Sequence, residues 1–297
     1  VRGLLVALAL LVFSPLAEAW NATGHRLVAT IAWLKLEPKA REEVALLLRA
    51  HPDYERWRGR AGKGDVDARA FVAASTWADE IRKDPRFFDA GREQATPLLA
   101  GFPDMERHRD WHFVNWPLSA GARSAPLGGT LDQQIPMLAK LLVRREEQES
   151  TRAYALVWLI HLVGDAHQPL HASLRVESGH DDEALIVVNR FASGRQRSTL
   201  HAFWDDLPGP SGLRGAPLDA AARALIAAHA PPPAGATSDE WLDESWRLAR
   251  DEAYPPGTDN PVTIDAAFYE KSVRIAERRV AAAGYRLAAL LNELLAR

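Results

Sequence analysis

The chain has 297 residues, 36 Lys and Arg against 39 Asp and Glu, and nearly half of its composition apolar, which suits one large domain or two small ones with a sizeable core. A net charge of −3 excludes a generally basic surface for nucleic acid, so any affinity for phosphate has to be local. No cysteine is present, which excludes disulfides and thiolate metal sites and leaves His, Asp, Glu and backbone atoms as ligands.

Residues 1–19 read as a secretory signal peptide. They hold one Arg, an apolar run from Leu4 to Leu16 and the small-x-small ending Ala17-Glu18-Ala19, and the run is too short for a comfortable bilayer span. Cleavage is expected after Ala19. Trp20 would then be the mature N-terminus, the functional domain would cover 20–297, and the destination would be periplasmic or secreted. No other segment is apolar enough to cross a membrane. Helical periodicity then dominates, with helices predicted over 23–50, 67–82, 130–145, 151–167, 218–229, 238–252 and 263–295. Only 184–191, with Leu185-Ile186-Val187-Val188, reads as a strand. Pro and Gly cluster in 119–129, 207–217 and 230–235, which read as surface loops and not as domain linkers. The expected fold class is all-α, a single mostly helical domain with at most a small β-hairpin.

Chemistry concentrates between Ile160 and His171, where His161, Asp165, His167 and His171 fall among mostly apolar residues. His161 and Asp165 stand four apart, so both project from one helical face. His201 and Asp205 repeat that spacing. Burying such groups among Leu, Val, Phe and Trp is costly unless they bind a metal or one another. Three further positions are weaker when taken singly. His25 follows the expected N-terminus closely, Asp79 shares an apolar helical stretch with Arg82, and His112 is flanked by aromatics. A lone His on an apolar face is more often a satisfied core residue than a ligand, and Asp79 with Arg82 fits an intrahelical ion pair.

In chain order the blocks are Trp20 with Gly24-His25, Trp77-Ala78-Asp79 with Arg82, and His112-Phe113. His161-x-x-Gly164-Asp165-x-x-Gln168-Pro169-Leu170-His171 and Leu200-His201-x-x-Trp204-Asp205 complete the series. Together they resemble the S1/P1 family of zinc-dependent, single-strand-specific nucleases, within the wider phospholipase C/P1 nuclease superfamily, over essentially the whole chain after residue 19. The resemblance implies three Zn2+ per chain. The first would take Asp79, His112, His161 and Asp165, and the second His171, His201 and Asp205. The third would take His25, a shared oxygen of Asp165, and the α-amino nitrogen and carbonyl oxygen of Trp20. A free amine deprotonates near neutral pH and coordinates, whereas an amide nitrogen does not, so leader removal would complete the site.

The implied activity is hydrolysis of phosphodiester bonds in single-stranded DNA and RNA, and of 3′-nucleotides, by a zinc-activated water, leaving 5′-phosphates. Asp79 would orient the nucleophile and Arg82 would neutralise charge on the phosphate oxygens. Phe113 holds the family's base-stacking position. Asn115 stands where many members carry an Asp that bonds the base edge, and an amide both donates and accepts. The Gly-Gly-Asn block usual between the two ligand helices is here Ser178-Gly179-His180-Asp181, which leaves the role of His180 open. His51, His108, His167 and His229 are read as non-ligands. No stable protein partner and no membrane association are implied, and a monomer is expected.

Two other readings compete. A zinc-dependent phospholipase C shares the helical fold, but its last ligand pair ends in Glu where this chain has Asp205. A non-catalytic zinc-binding periplasmic protein would use the same His and Asp residues but would need neither Arg82 beside Asp79 nor an aromatic beside His112, and its coordination shell would be closed.

Overall fold

Proline and side-chain capping set where the helices of this chain begin and break. In the computed structural model, which describes residues 20–59, 64–118, 121–175, 183–191, 196–257 and 260–296, the first helix α1 spans Ala22–Lys35 and is capped by Asn21, whose side chain accepts from the Thr23 and Gly24 N–H groups. The helix predicted over 23–50 is in fact two, because Leu36 and Glu37 are extended and Pro38 opens α2 (Pro38–Ala50). A proline disfavours the helical conformation in the residue before it and is at home in a first turn. A short α3 (Tyr54–Gly59) follows, which the sequence pattern did not announce.

The stretch predicted over 67–82 also divides, into α4 (Val66–Ala74), α5 (Trp77–Glu80) and a 3-10 turn at Ile81–Lys83. At the break, the hydroxyls of Ser75 and Thr76 donate back to the carbonyls of Val72 and Ala73, which offers the backbone an alternative to continued helix. A second 3-10 turn covers Arg109–His112. α6 (Leu131–Leu142) and α7 (Glu149–Asp165) then pack together. Every residue of α7 from Arg152 to Asp165 is buried, so this helix is apolar on all sides and runs through the core, where its two polar ligand-type residues have no access to solvent. A third 3-10 turn, Pro169–Ala172, follows.

Beyond it come α8 (Leu200–Asp206), α9 (Gly215–Ala228), α10 (Ser238–Glu252) and the long α11 (Ala266–Leu295). α11 lies along α1, α9 packs on α1 as well, and α10 backs the Pro169–Ala172 turn. The strand predicted over 184–191 shortens to β1 (Ile186–Val188), paired antiparallel with β2 (Arg197–Thr199). The hairpin gains a third, parallel strand, β3 (Val262–Thr263), which takes the first residue of the helix predicted over 263–295. The order is β2-β1-β3. The protein is thus all-α with a minor sheet. Among the described residues no helix is long and apolar enough to cross a membrane.

Candidate metal centre

Six elements deliver the donors. α1 carries His25, α5 carries Asp79, the second 3-10 turn ends on His112, α7 carries His161 and Asp165, and the third 3-10 turn carries His171. α8 adds His201 and Asp205 four residues apart. All except the partly exposed Asp79 are buried. Three groups among them lie close enough to hold a metal ion: His25, His161 and Asp165; Asp79, His112 and His161; and His171, His201 and Asp205.

Asp165 is the hub. Its Oδ2 lies 3.0 Å from His112 Nδ1 and 3.3 Å from His161 Nε2, while its Oδ1 lies 3.3 Å from His25 Nε2. Asp79 is divided in the same way, with Oδ1 3.7 Å from His161 Nε2 and 4.0 Å from His112 Nδ1, and Oδ2 4.0 Å from His25 Nε2. Both carboxylates therefore face two neighbouring positions, where sequence reasoning assigned that role to Asp165 alone. The His25 ring stacks on His161 at 3.9 Å. Gly164 makes this possible, since a Cβ there would sit 2.8 Å from His25 Nδ1.

The ring tautomers test whether these residues suit a cation. His161 Nδ1 lies 2.8 Å from the Ser75 carbonyl and His171 Nδ1 lies 2.6 Å from the His112 carbonyl. A carbonyl only accepts, so each Nδ1 carries the proton, and each ring, when neutral, turns the lone pair of Nε2 inward. His171 Nε2 then meets His201 Nε2 at 3.0 Å, and the Nδ1 of His201 faces Glu183 at 3.4 Å. With the proton of His201 on Nε2 the two rings share a hydrogen bond, and with both lone pairs turned inward they converge on a single cation. The buried His25 nitrogens and His112 Nε2 make no hydrogen bond, which is costly for groups removed from water. The donor set therefore fits a metal that favours nitrogen and carboxylate oxygen.

Electrostatics agree. Burial disfavours a charged His161, but the Asp165 and Asp79 carboxylates outweigh it and push its pKa up to about 9. Burial pulls His171 down to about 4, Asp165 only partly offsetting it. His25 and His112 are held well below the usual imidazole range, above all by burial. Burial opposes ionisation of Asp165, yet His161 and His112 bring it well below the ordinary carboxylate value. Asp205 is pushed well above that value by burial. The cluster is a place where positive charge is welcome and protons are poorly held by most of the rings.

The remaining sequence-predicted residues lie around this centre. Trp20 is fully buried, and the next residue ties the chain start to the end of α8 through Asn21 N–H donating to the Asp205 carbonyl at 3.0 Å. Arg82 is buried with Nε 3.6 Å from Asp79 Oδ1. Phe113 and Asn115 are half-buried on an extended segment beside Gly128 and Gly129, and Val114 N–H donates to the His171 carbonyl. Gly129 has φ +75°, and a Cβ there would lie 2.2 Å from the Phe113 carbonyl oxygen, so only glycine allows this approach. Residues 178–181, including His180, lie outside the described residues, as do residues 1–19, where the signal peptide is expected.

His51, His108, His167 and His229 belong to none of the three groups. His167 is engaged elsewhere, donating from Nδ1 to the Val163 carbonyl and receiving Arg286 at Nε2. Sequence reasoning missed three supporting groups. These are the Ser75 carbonyl, Glu183 beside His201, and the Gln168 amide, which donates to Asp205 Oδ1 at 2.9 Å. Gln168 had a signal in its motif, while the other two had none.

The fold and donor set define a helical protein with three neighbouring His and Asp groups that could each hold a metal ion. The model of the family described as S1/P1 Nuclease matches residues 20–296. Endonuclease 2 of Arabidopsis thaliana is 23% identical over 98% of this chain and 96% of its own length. Endonuclease 5 of the same plant is 29% identical over 94% of this chain and 91% of its own. Nuclease S1 of Aspergillus oryzae is 24% identical over 98% and 97%. The chain belongs to the S1/P1 nuclease family, whose members are hydrolases of phosphodiester bonds and in general zinc-dependent.

Proposed function

We propose that the protein is an exported, zinc-dependent endonuclease and 3′-nucleotidase that cuts single-stranded DNA and RNA to 5′-phosphorylated products, with three zinc ions per chain. The observation that carries this reading is the facing pair of His171 and His201 nitrogens, 3.0 Å apart, together with the doubly shared Asp165. Asp79, His112, His161 and Asp165 would hold one ion, and His171, His201 and Asp205 a second. His25, Asp165 and the Trp20 amine and carbonyl would hold a third. The family match begins at Trp20, which supports cleavage after Ala19 and delivery to the periplasm or the medium.

Zinc at these positions would supply Lewis acidity and a water acidified to a pKa of about 7. The protein's own groups do the rest. Asp79, with its two oxygens aimed at different neighbours, accepts a hydrogen bond from the attacking water and lines it up with phosphorus. Arg82 brings a guanidinium to the non-bridging oxygens, where charge grows as the fifth bond forms. Phe113 gives a flat face on which an unpaired base can stack, and the Asn115 side chain is left to meet the base edge because its backbone N–H and carbonyl pair with Gly128 and Leu127. A duplex keeps its bases stacked inside and offers nothing to Phe113, which is the physical basis of the single-strand preference.

The test is digestion of a single strand and its duplex by protein beginning at Trp20, with chelator and then with zinc restored. Single-strand cleavage to 5′-phosphate ends, abolished by chelation and recovered with zinc, is expected. No cleavage by zinc-loaded protein would favour a storage role, and faster hydrolysis of phosphatidylcholine would favour a phospholipase.

A further inference from the structure

A cavity of about 780 Å3 lies between α1, α4 and α9, outside the metal centre. His25 points into that centre, while Arg26, one residue on, lines the cavity with Thr30 and Trp33 on the same face of α1. Five arginines reach it: Arg26, Arg41, Arg69, Arg214 and Arg223. Three carboxylates oppose them, those of Asp65, Glu80 and Asp219, which leaves two positive charges in excess in a chain whose net charge is −3.

Two of the carboxylates have other work. Asp65 caps α4 by accepting from Ala68 N–H, and Glu80 is held by Arg56 at 3.1 Å and by the Thr76 hydroxyl at 3.0 Å. The guanidinium groups of Arg26, Arg41 and Arg214 donate to the carbonyls of Ser211, Trp33 and Gly212, contacts that hold these cations at the cavity. The guanidinium groups of Arg69 and Arg223 make no hydrogen bond or ion pair among the described residues. The lining also holds apolar side chains, those of Trp33, Val72 and Leu218, with the Arg41 guanidinium over the Trp33 ring at 5.4 Å.

We infer that this cavity binds an organic phosphate monoester of mononucleotide size. The guanidinium forks match phosphate oxygens in shape and charge, and the two excess charges match the roughly −1.5 to −2 of a phosphate monoester at neutral pH. The apolar side chains take the flat organic part, and the volume falls within the range of small-molecule sites. The same chemistry comes from two sources, a free nucleoside 5′-monophosphate or the 5′-phosphorylated end of a strand. The inference rests on the cavity lining and not on the zinc reading.

The test is calorimetric titration of zinc-loaded protein with 5′-AMP, with a short 5′-phosphorylated oligonucleotide and with inorganic phosphate, in wild type and in Arg69→Glu/Arg223→Glu. Wild type is expected to bind 5′-AMP at a site that the double variant weakens at least tenfold, with inorganic phosphate binding that site at least tenfold more weakly than 5′-AMP. Zinc content and cleavage of a dilute short substrate should be unchanged in the variant, and Arg69→Gln/Arg223→Gln should give a smaller loss in the same direction. Tighter binding of the oligonucleotide than of 5′-AMP identifies the strand end as the ligand, and the reverse order identifies the mononucleotide. Equal 5′-AMP binding by wild type and variant overturns the inference, as does inorganic phosphate binding as tightly as 5′-AMP. Failure of the zinc reading would appear separately, as absent zinc in wild type.

Discussion

Gln168 shows how one uncharged side chain can govern a ligand. Its Nε2 donates to Asp205 Oδ1 and its Oε1 accepts from Leu170 N–H at 2.6 Å, so the amide is locked and in turn aims the carboxylate. Gln168→Leu is expected to lower zinc affinity at the His171, His201 and Asp205 position by about 10–100-fold, the usual effect of losing such a support. Competition with a chelator measures it, and unchanged affinity would show that Asp205 needs no such orientation. His51 gives a pH dependence remote from the metal. It is buried against Trp57, Trp77 and Phe102, its Nδ1 accepts from Asp53 N–H, and Arg86 stands across Asp53. Burial pulls its pKa from 6.5 down to about 3, Asp53 opposing and Arg86 assisting. The unfolded chain therefore binds a proton that the folded one refuses. The stability from this group is fully present above pH 6.5 and is lost as pH falls towards 3, with a slope of about 1.4 kcal/mol per pH unit. In His51→Phe the loss of stability over that window should be shallower than in wild type, by denaturant titration at several pH values. Parallel profiles would remove His51 from the account.

At the scale of elements, the turn after α7 is held from behind. Arg279 on α11 donates to the His167 carbonyl, to the Trp241 carbonyl and to Ser245 Oγ, and pairs with Glu244, while Ser245 Oγ donates to the Ala166 carbonyl. The carbonyls of residues 166 and 167 are thereby fixed between Asp165 and His171, which belong to two different groups of the centre. Arg279→Met should cost about 1–3 kcal/mol, because the buried His167 carbonyl loses its donor while the partly exposed Glu244 keeps Arg286, and should weaken zinc retention as well. A variant with the stability loss but wild-type zinc affinity would make the clamp purely structural. The sequence disclosed elements unevenly. The His161–Asp165 and His201–Asp205 pairs were legible because spacing of four is a local property of a helix. The break at Ser75–Thr76 was not, since hydroxyl-to-carbonyl bonds compete with helix at many such positions without ending it. β3 is two residues long, and only its partner β1, far away in sequence, makes it a strand.

For the whole molecule, the all-helical class followed from periodicity alone, while the convergence of six elements on one centre followed only from family resemblance. No local pattern says that His25, near the start of the chain, stacks on His161 in its middle, or that Ser75 turns a carbonyl towards that ring. Backbone acceptors carry no residue signature, and Glu183 is an ordinary acidic residue until the fold brings it to His201. The account also makes the centre a structural element of the core. The buried His25 nitrogens and His112 Nε2 are unsatisfied without a cation, so zinc binding should stabilise the native state by mass action. Anomalous scattering at the zinc edge, from crystals of the chain beginning at Trp20, tests the central claim most directly. The account predicts three peaks, one at each of the three donor groups, with the peak beside His25 also within coordination distance of the Trp20 amine. Peaks remote from these groups, or none after zinc loading, would contradict it.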